Sequence, residues 1–358
     1  MAKYICPFCY NEYEKSAVSY FCCVCGEKAS PGLFESEPIK CRKCGGIASV
    51  RKCPNCSEII PKTTLETPNL FFGIMGANMS GMSTYITVML NELKKASALG
   101  LALTPQNDQT REQQDEKYRR LCEKHIVLEA TQTGSRQPQI WSISNRQKQT
   151  YTFTVFDGAG EEYEENFNAS SVIWKYINVS KAIILTVDPL VLPNIMNGAF
   201  VDPAVIKKSH GEIGGSIRNT EDVINNLVTY ITTTKGMRSA QRLNIPVAVV
   251  FTKFDTLLNN ELFGPEAIIR RKSLAFRDGK VDTAEMKRVD EEIRAWLHAI
   301  NEGSFINTLE SHFMEINFFG VSCFGAPPKD GRTLTGEPQP HRVLDPILWL
   351  FKKAGVIE

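Results

Sequence analysis

The stretch Gly73-Ile-Met-Gly-Ala-Asn-Met-Ser-Gly-Met-Ser-Thr84 constrains the fold more than any other part of this 358-residue chain. An apolar run, Asn69-Leu-Phe-Phe, leads into it, and a helical pattern, Tyr85-Ile-Thr-Val-Met-Leu, leaves it. A strand that turns through glycines into a helix aims several backbone N–H groups at one spot, which suits the oxygens of a phosphate. The spacing Gly76-x4-Gly81-x-Ser83 satisfies the phosphate-binding pattern GxxxxGK[ST] at every fixed position but one. Where the lysine belongs stands Met82.

Length allows one large domain and a small one. A net charge of +1 gives no global field for nucleic acid or membrane. No uninterrupted apolar run approaches bilayer length, so no membrane span is expected. The N-terminus, Met-Ala-Lys-Tyr-Ile-Cys-Pro-Phe-Cys, lacks the apolar core of a signal peptide, which points to a cytoplasmic protein.

Nine of the eleven cysteines lie before residue 57. Eight of them form Cys-x-x-Cys pairs: Cys6/Cys9, Cys22/Cys25, Cys41/Cys44 and Cys53/Cys56. Two such pairs make a tetrahedral thiolate cage, the donor set zinc prefers. These segments resemble zinc ribbons. The simplest pairing is sequential, with one zinc on the first two pairs and a second on the last two; interleaved pairing is open. The segments so defined are 1–30 and 38–60, with 61–68 as linker. Closed four-cysteine sites keep no open position for catalysis, so the expected roles are scaffold and docking surface, for a protein partner or for nucleic acid near the basic residues Lys40, Arg42, Lys43, Arg51 and Lys52. Cys23 is left over.

Residues 69–358 alternate strand-like and helix-like segments. Candidate strands are 69–75, 139–144, 151–156, 182–187, 246–251 and 315–321. Candidate helices are 81–95, 110–124, 163–176, 220–234, 283–300 and 345–353. The alternation predicts an α/β fold, a mostly parallel sheet with helices on both faces, whose ligands bind at the carboxyl ends of the strands.

Three of those ends carry further signatures. The third strand runs into Asp157-Gly-Ala-Gly160, a DxxG pattern. The fifth runs into Thr252-Lys253-Phe254-Asp255, which resembles [NT]KxD. The sixth ends at Ser322-Cys323. With the glycine turn at Gly76, four elements in this order resemble the P-loop GTPase superfamily over residues 69–324. The longer spacings, with extra segments at 96–124, 189–242 and 255–313, together with zinc ribbons ahead and Asp345-Pro-Ile-Leu-Trp near the end, look like bacterial double-GTPase-type proteins of conflict or signalling systems.

The resemblance implies the following roles. Gly76, Ala77, Asn78, Met79, Ser80, Gly81, Met82, Ser83 and Thr84 would surround the nucleotide phosphates. Ser83 and Asp157 would hold magnesium, and Gly160 would meet the γ-phosphate. Thr252, Lys253, Asp255, Ser322 and Cys323 would hold guanine of GTP or GDP. Thr131 or Thr133 is the candidate switch threonine, Glu161 the candidate water-orienting residue and Arg136 a candidate arginine finger. Without the lysine, charge stabilisation during phosphoryl transfer falls. The expectation is a nucleotide-binding switch or scaffold with weak or no GTP hydrolysis. The rivals are an active GTPase with an atypical or partner-supplied cation, and a nucleotide-free adaptor.

Overall fold

The computed structural model describes residues 3–29, 38–129, 131–132, 134, 137–164, 171–198, 200–210, 220–237, 241–258, 261–277 and 280–358. In the large domain the elements that position the site are β1 (Asn69–Gly76), α1 (Met82–Lys95), β2 (Ala102–Pro105), α2 (Asp108–Cys122), β3 (Gln139–Ser144), β4 (Thr150–Val155), α3 (Val172–Val179), β5 (Ala182–Val187), α4 (Thr220–Lys235), β6 (Val247–Phe251), α5 (Thr283–Ala299), α6 (Gly303–His312), β7 (Ile316–Gly320) and α7 (Asp345–Lys353).

Seven strands form one sheet in the order β7-β6-β5-β1-β4-β3-β2. The strands β7, β6, β5, β1 and β4 are parallel. Strand β3 runs antiparallel between β4 and β2. Every residue of β5 and β6 is buried, and so are the last seven of β1. Strands buried along their whole length need cover on both faces, and the helices supply it. The chain leaves β1 toward β2, returns to pair β4 with β1, then crosses over to β5. Strand order therefore reverses at β1, and its carboxyl end opens onto a crevice.

The helix expected over 163–176 is two pieces, Gly160–Glu164 and α3. Ser171, just before α3, has an extended backbone at φ −66° and ψ 148°, and no continuous helix can pass through such a residue. Strand β2 escaped the sequence pattern because it is a four-residue edge strand ending in a proline. Among the described residues no helix is long and apolar enough to cross a membrane.

The cysteine pairs assemble differently from the sequential expectation. Cys6, Cys9, Cys53 and Cys56 form one cluster, and Cys22, Cys25, Cys41 and Cys44 form another. The outer pairs thus enclose the inner ones. The cause is a three-stranded antiparallel sheet in which Ser19–Phe21 pairs with both Lys28–Ala29 and Val50–Lys52, bringing the two ends of the module together. Sulfur separations of 3.7 and 3.9 Å in the outer cluster, and 3.4 and 3.6 Å in the inner one, match the roughly 3.8 Å edge of a tetrahedron with zinc–sulfur bonds of about 2.3 Å. Backbone amides of Cys25 and Val24 hold the Cys22 thiol down, to about 6, whereas the Cys44 thiol of the same cluster is pushed up. The module's own apolar core is small, built around Tyr13, Val18, Tyr20, Ile39, Ile60 and Leu65. A metal bound at the two clusters would supply what packing cannot.

The stretch after β7 is pinned by a buried guanidinium. Arg342 donates to Asp345 at 2.7 Å, to Glu285 of α5 at 2.9 Å and to the carbonyls of Ile268 and Arg271. This joins the segment before α7 to the long insertion between β6 and β7.

Two outcomes follow. Cys41→Ser should halve the zinc bound per chain by elemental analysis, leaving the outer cluster loaded. Arg342→Met strands two buried carboxylates, and urea unfolding should show a loss of about 3–5 kcal/mol.

Candidate nucleotide site

The glycine turn lies where the sheet order reverses. Gly76 pairs in register with Thr186 of β5, and a Cβ at position 76 would lie 2.1 Å from the Thr186 hydroxyl and 2.6 Å from its carbonyl. Only glycine fits there. Gly81 has φ +81° and precedes α1, which no side chain caps. The turn is braced from behind. The Ser80 and Thr186 hydroxyls are 2.9 Å apart, and Thr186 donates to the Met75 carbonyl. Thr252, just past β6, donates to the Ser80 carbonyl at 2.6 Å and to Val187 at 3.2 Å.

Met82 is only 5% exposed and packs into the main apolar core. The position that would carry the phosphate-binding lysine is spent on packing. One residue on, the Ser83 hydroxyl donates to Asp157 at 2.8 Å and lies 2.8 Å from the Thr131 hydroxyl, which also reaches Asp157 at 3.4 Å. Lys117 of α2 completes this cluster, its ammonium 2.5 Å from the other Asp157 oxygen. Thr133 and Arg136 lie outside the described residues.

The DxxG turn rests on the glycine loop. A Cβ on Gly160 would come within 2.6 Å of the Asn78 backbone. Asn78 donates its side-chain amide to Glu161 at 3.0 Å, so that carboxylate is tied to the loop. Glu162 accepts the Gly134 backbone N–H at 3.3 Å.

At the end of β6, Lys253 sits at φ +51° and forms an ion pair with Asp188, a buried residue just past β5. Burial pushes the Asp255 carboxyl up, against the opposing pull of its hydrogen bond with Ser322 and the charge of Lys253. Ser322 is fully buried and accepts the Gly325 N–H at 2.8 Å. Burial also raises the Cys323 thiol.

The glycine loop and the turns after β4, β6 and β7 share one cleft of about 810 Å³, within the size range of small-molecule and cofactor sites; Lys117, Asp157, Glu161 and Ser322 are not among the residues that line it. Residues 77–84, Gly158, Gly160, Thr252, Lys253, Asp255 and Cys323 line it. The opposite wall is a bridge between the segment after α2 and the segment after β7: Val127 donates to the Arg332 carbonyl and Leu334 to that of His125. Arg120 and Arg332 line this wall. Sequence reasoning missed Lys117, Arg120 and Arg332, although the spacing Thr110, Gln114, Lys117, Leu121 on α2 holds a signal, since three of the four are buried.

No protein-family model matches the chain. It is 23% identical over 330 residues to the "Putative ESX-1 scaffolding and assembly protein SaeC" of Mycolicibacterium smegmatis, covering 86% of this chain and 81% of that one. Among solved structures it is similar to the Arl6 small GTPase of Trypanosoma brucei with bound GppNp, at TM-score 0.31 and 14% identity over 80% of this chain and 98% of that one. It is also similar to the GTP-bound GTPase-like domain of S. cerevisiae Ski7, at TM-score 0.29 and 11% identity over 72% of this chain and 43% of that one. The P-loop GTPase-like fold stands on this chain's own sheet order and on four motif-bearing strand ends meeting at one cleft.

Proposed function

We propose that this chain binds guanine nucleotide and works as a switch or scaffold with weak or no GTP hydrolysis of its own. The observation that carries the reading is the single cleft in which the glycine loop and Asp255 face common space. The loop's amides suit the α- and β-phosphates. The Asp255 carboxylate suits guanine, whose ring N–H and exocyclic amine are two donors that adenine does not present together. Ser83, Thr131 and Asp157 are hard oxygen donors of the kind magnesium takes, hydrogen-bonded to one another, with Asp157 also holding the Lys117 ammonium. When bound, the ion would neutralise phosphate charge.

Weak turnover follows from the buried Met82 and from Glu161, a carboxylate hydrogen-bonded to Asn78 where a neutral water-orienting group would serve better. The two cysteine clusters would carry zinc as a docking module for a protein partner. The scaffolding description of the mycobacterial relative supports that part, and it also favours a second reading, an adaptor whose cleft stays empty of nucleotide.

Calorimetry with GDP, GTP and ATP separates the two. Guanine nucleotides should bind at least about a hundredfold more tightly than ATP. Asp255→Asn should weaken GDP roughly tenfold to a hundredfold or more, by loss of a charge-assisted contact worth about 1.5–3 kcal/mol. No heat with any nucleotide would favour the adaptor. Turnover of GTP should not exceed about 10⁻³ s⁻¹, the order of an unassisted GTPase. A rate near 1 s⁻¹, of the order reached with full catalytic assistance, would make it an active enzyme.

A further inference from the structure

We propose that Lys117 is the built-in cation of the phosphate site, standing in for the lysine missing at position 82 and making nucleotide binding independent of a divalent ion. The inference rests on the nucleotide-binding reading above. Its basis is the way α2 is held. Asn107 caps the helix by accepting the Thr110 N–H at 2.7 Å. Thr110 accepts the Ile140 N–H at 2.9 Å, fastening the helix to β3. Gln114, fully buried, donates to the Thr87 carbonyl of α1 at 2.7 Å. Lys117 follows Gln114 by three residues and Leu121 follows by seven, so all share the inward face of the helix.

That face delivers an ammonium to a carboxylate whose side chain is only 10% exposed. Asp157 is also the acceptor for Ser83, the first polar side chain of α1. One cation, one carboxylate and the hydroxyls of Ser83 and Thr131 therefore form a single cluster against the glycine loop. An ammonium carries three donors and Asp157 uses one, leaving two for phosphate oxygens that reach the cluster past Ser83 and Thr131, its two members that line the cleft. Of the other cations nearby, Lys94 pairs with Asp115, Arg120 with Glu129 and Lys253 with Asp188, and Arg332 lines the far wall of the cleft. A magnesium ion held by Ser83 and Asp157 would sit beside the ammonium, and like charges at that distance repel. Either the ion displaces Lys117 or Lys117 serves in its place, and the pinned helix favours the second.

The test is the dissociation constant for GDP, with and without added magnesium, in buffer cleared of divalent ions before the protein is added so that the zinc clusters stay loaded. Wild type, Lys117→Met and Lys117→Arg are compared, with thermal melts checking that each variant is folded. In wild type the two constants should agree within about threefold. Without magnesium, Lys117→Met should bind roughly tenfold to a hundredfold more weakly, the range of one lost charge-assisted contact. Magnesium should restore it, and Lys117→Arg should behave as wild type. Wild-type binding that needs magnesium by more than about tenfold, or a Lys117→Met variant that binds as wild type without magnesium, overturns this inference and leaves the nucleotide reading intact. A wild-type protein that binds no nucleotide in either condition overturns both.

Discussion

The site depends on two threonines that belong to neighbouring strands. Thr186 and Thr252 hold the glycine turn through Ser80, one by its hydroxyl and the other by its carbonyl. Neither residue can reach the turn unless β5 and β6 lie parallel to β1 in register, Thr186 beside Gly76 and Val187 beside Phe251. A hydroxyl buried without a partner is costly, so the correct register satisfies these groups and a slipped one strands them. The sheet's hydrogen bonding and the shape of the loop are consequently a single requirement. This explains why Gly76 admits no side chain: the space a Cβ would take is already filled by the group that braces the loop.

Charge in the site has been moved. The residue at position 82 lies in the apolar core, so the first turn of α1 brings no cation to the cleft. The cations around the loop come from elsewhere: Lys117 and Arg120 from α2, Lys253 from the end of β6 and Arg332 from the segment after β7. Three of these four sit on segments that lengthen the chain between or beyond the motifs. The insertions are thus part of the wall of the site. Lys253 is partly neutralised by Asp188, and Arg120 by Glu129.

The sequence made the strand ends legible because each joins a buried apolar run to a polar turn, and burial on both faces leaves no other use for such a run. Strands β3 and β5 and helix α7 have the boundaries that periodicity predicts. The pairing of the cysteine clusters was not legible, since all four pairs have the same spacing and only the antiparallel sheet through Tyr20 decides which meet. Lys117 was hidden for a different reason. On a helix that reads as charged and solvent-exposed, a lysine carries no mark of its partner, and Asp157 is 40 residues away. Local patterns reveal elements and turns; contacts between distant side chains need the packing.

The cysteine module is attached to the sheet through Tyr10. Tyr10 leaves the module's own small core and packs into the main one, edge-on to Phe71 with centroids 6.0 Å apart and tilted against Tyr176 at 5.3 Å. Phe71 lies five residues before Gly76, or about 16 Å of strand at the usual rise. Among the described residues, none lining the cleft comes from the cysteine module. What it touches is the first half of β1 and the helix α3, whose Tyr176 hydroxyl donates to the Phe72 carbonyl. Val24 and Ile47 at the inner cluster and Ile59 beyond the outer one are exposed to solvent. The described part of the module thus adds surface to the domain on the side of β1 and α3, apart from the residues that line the cleft.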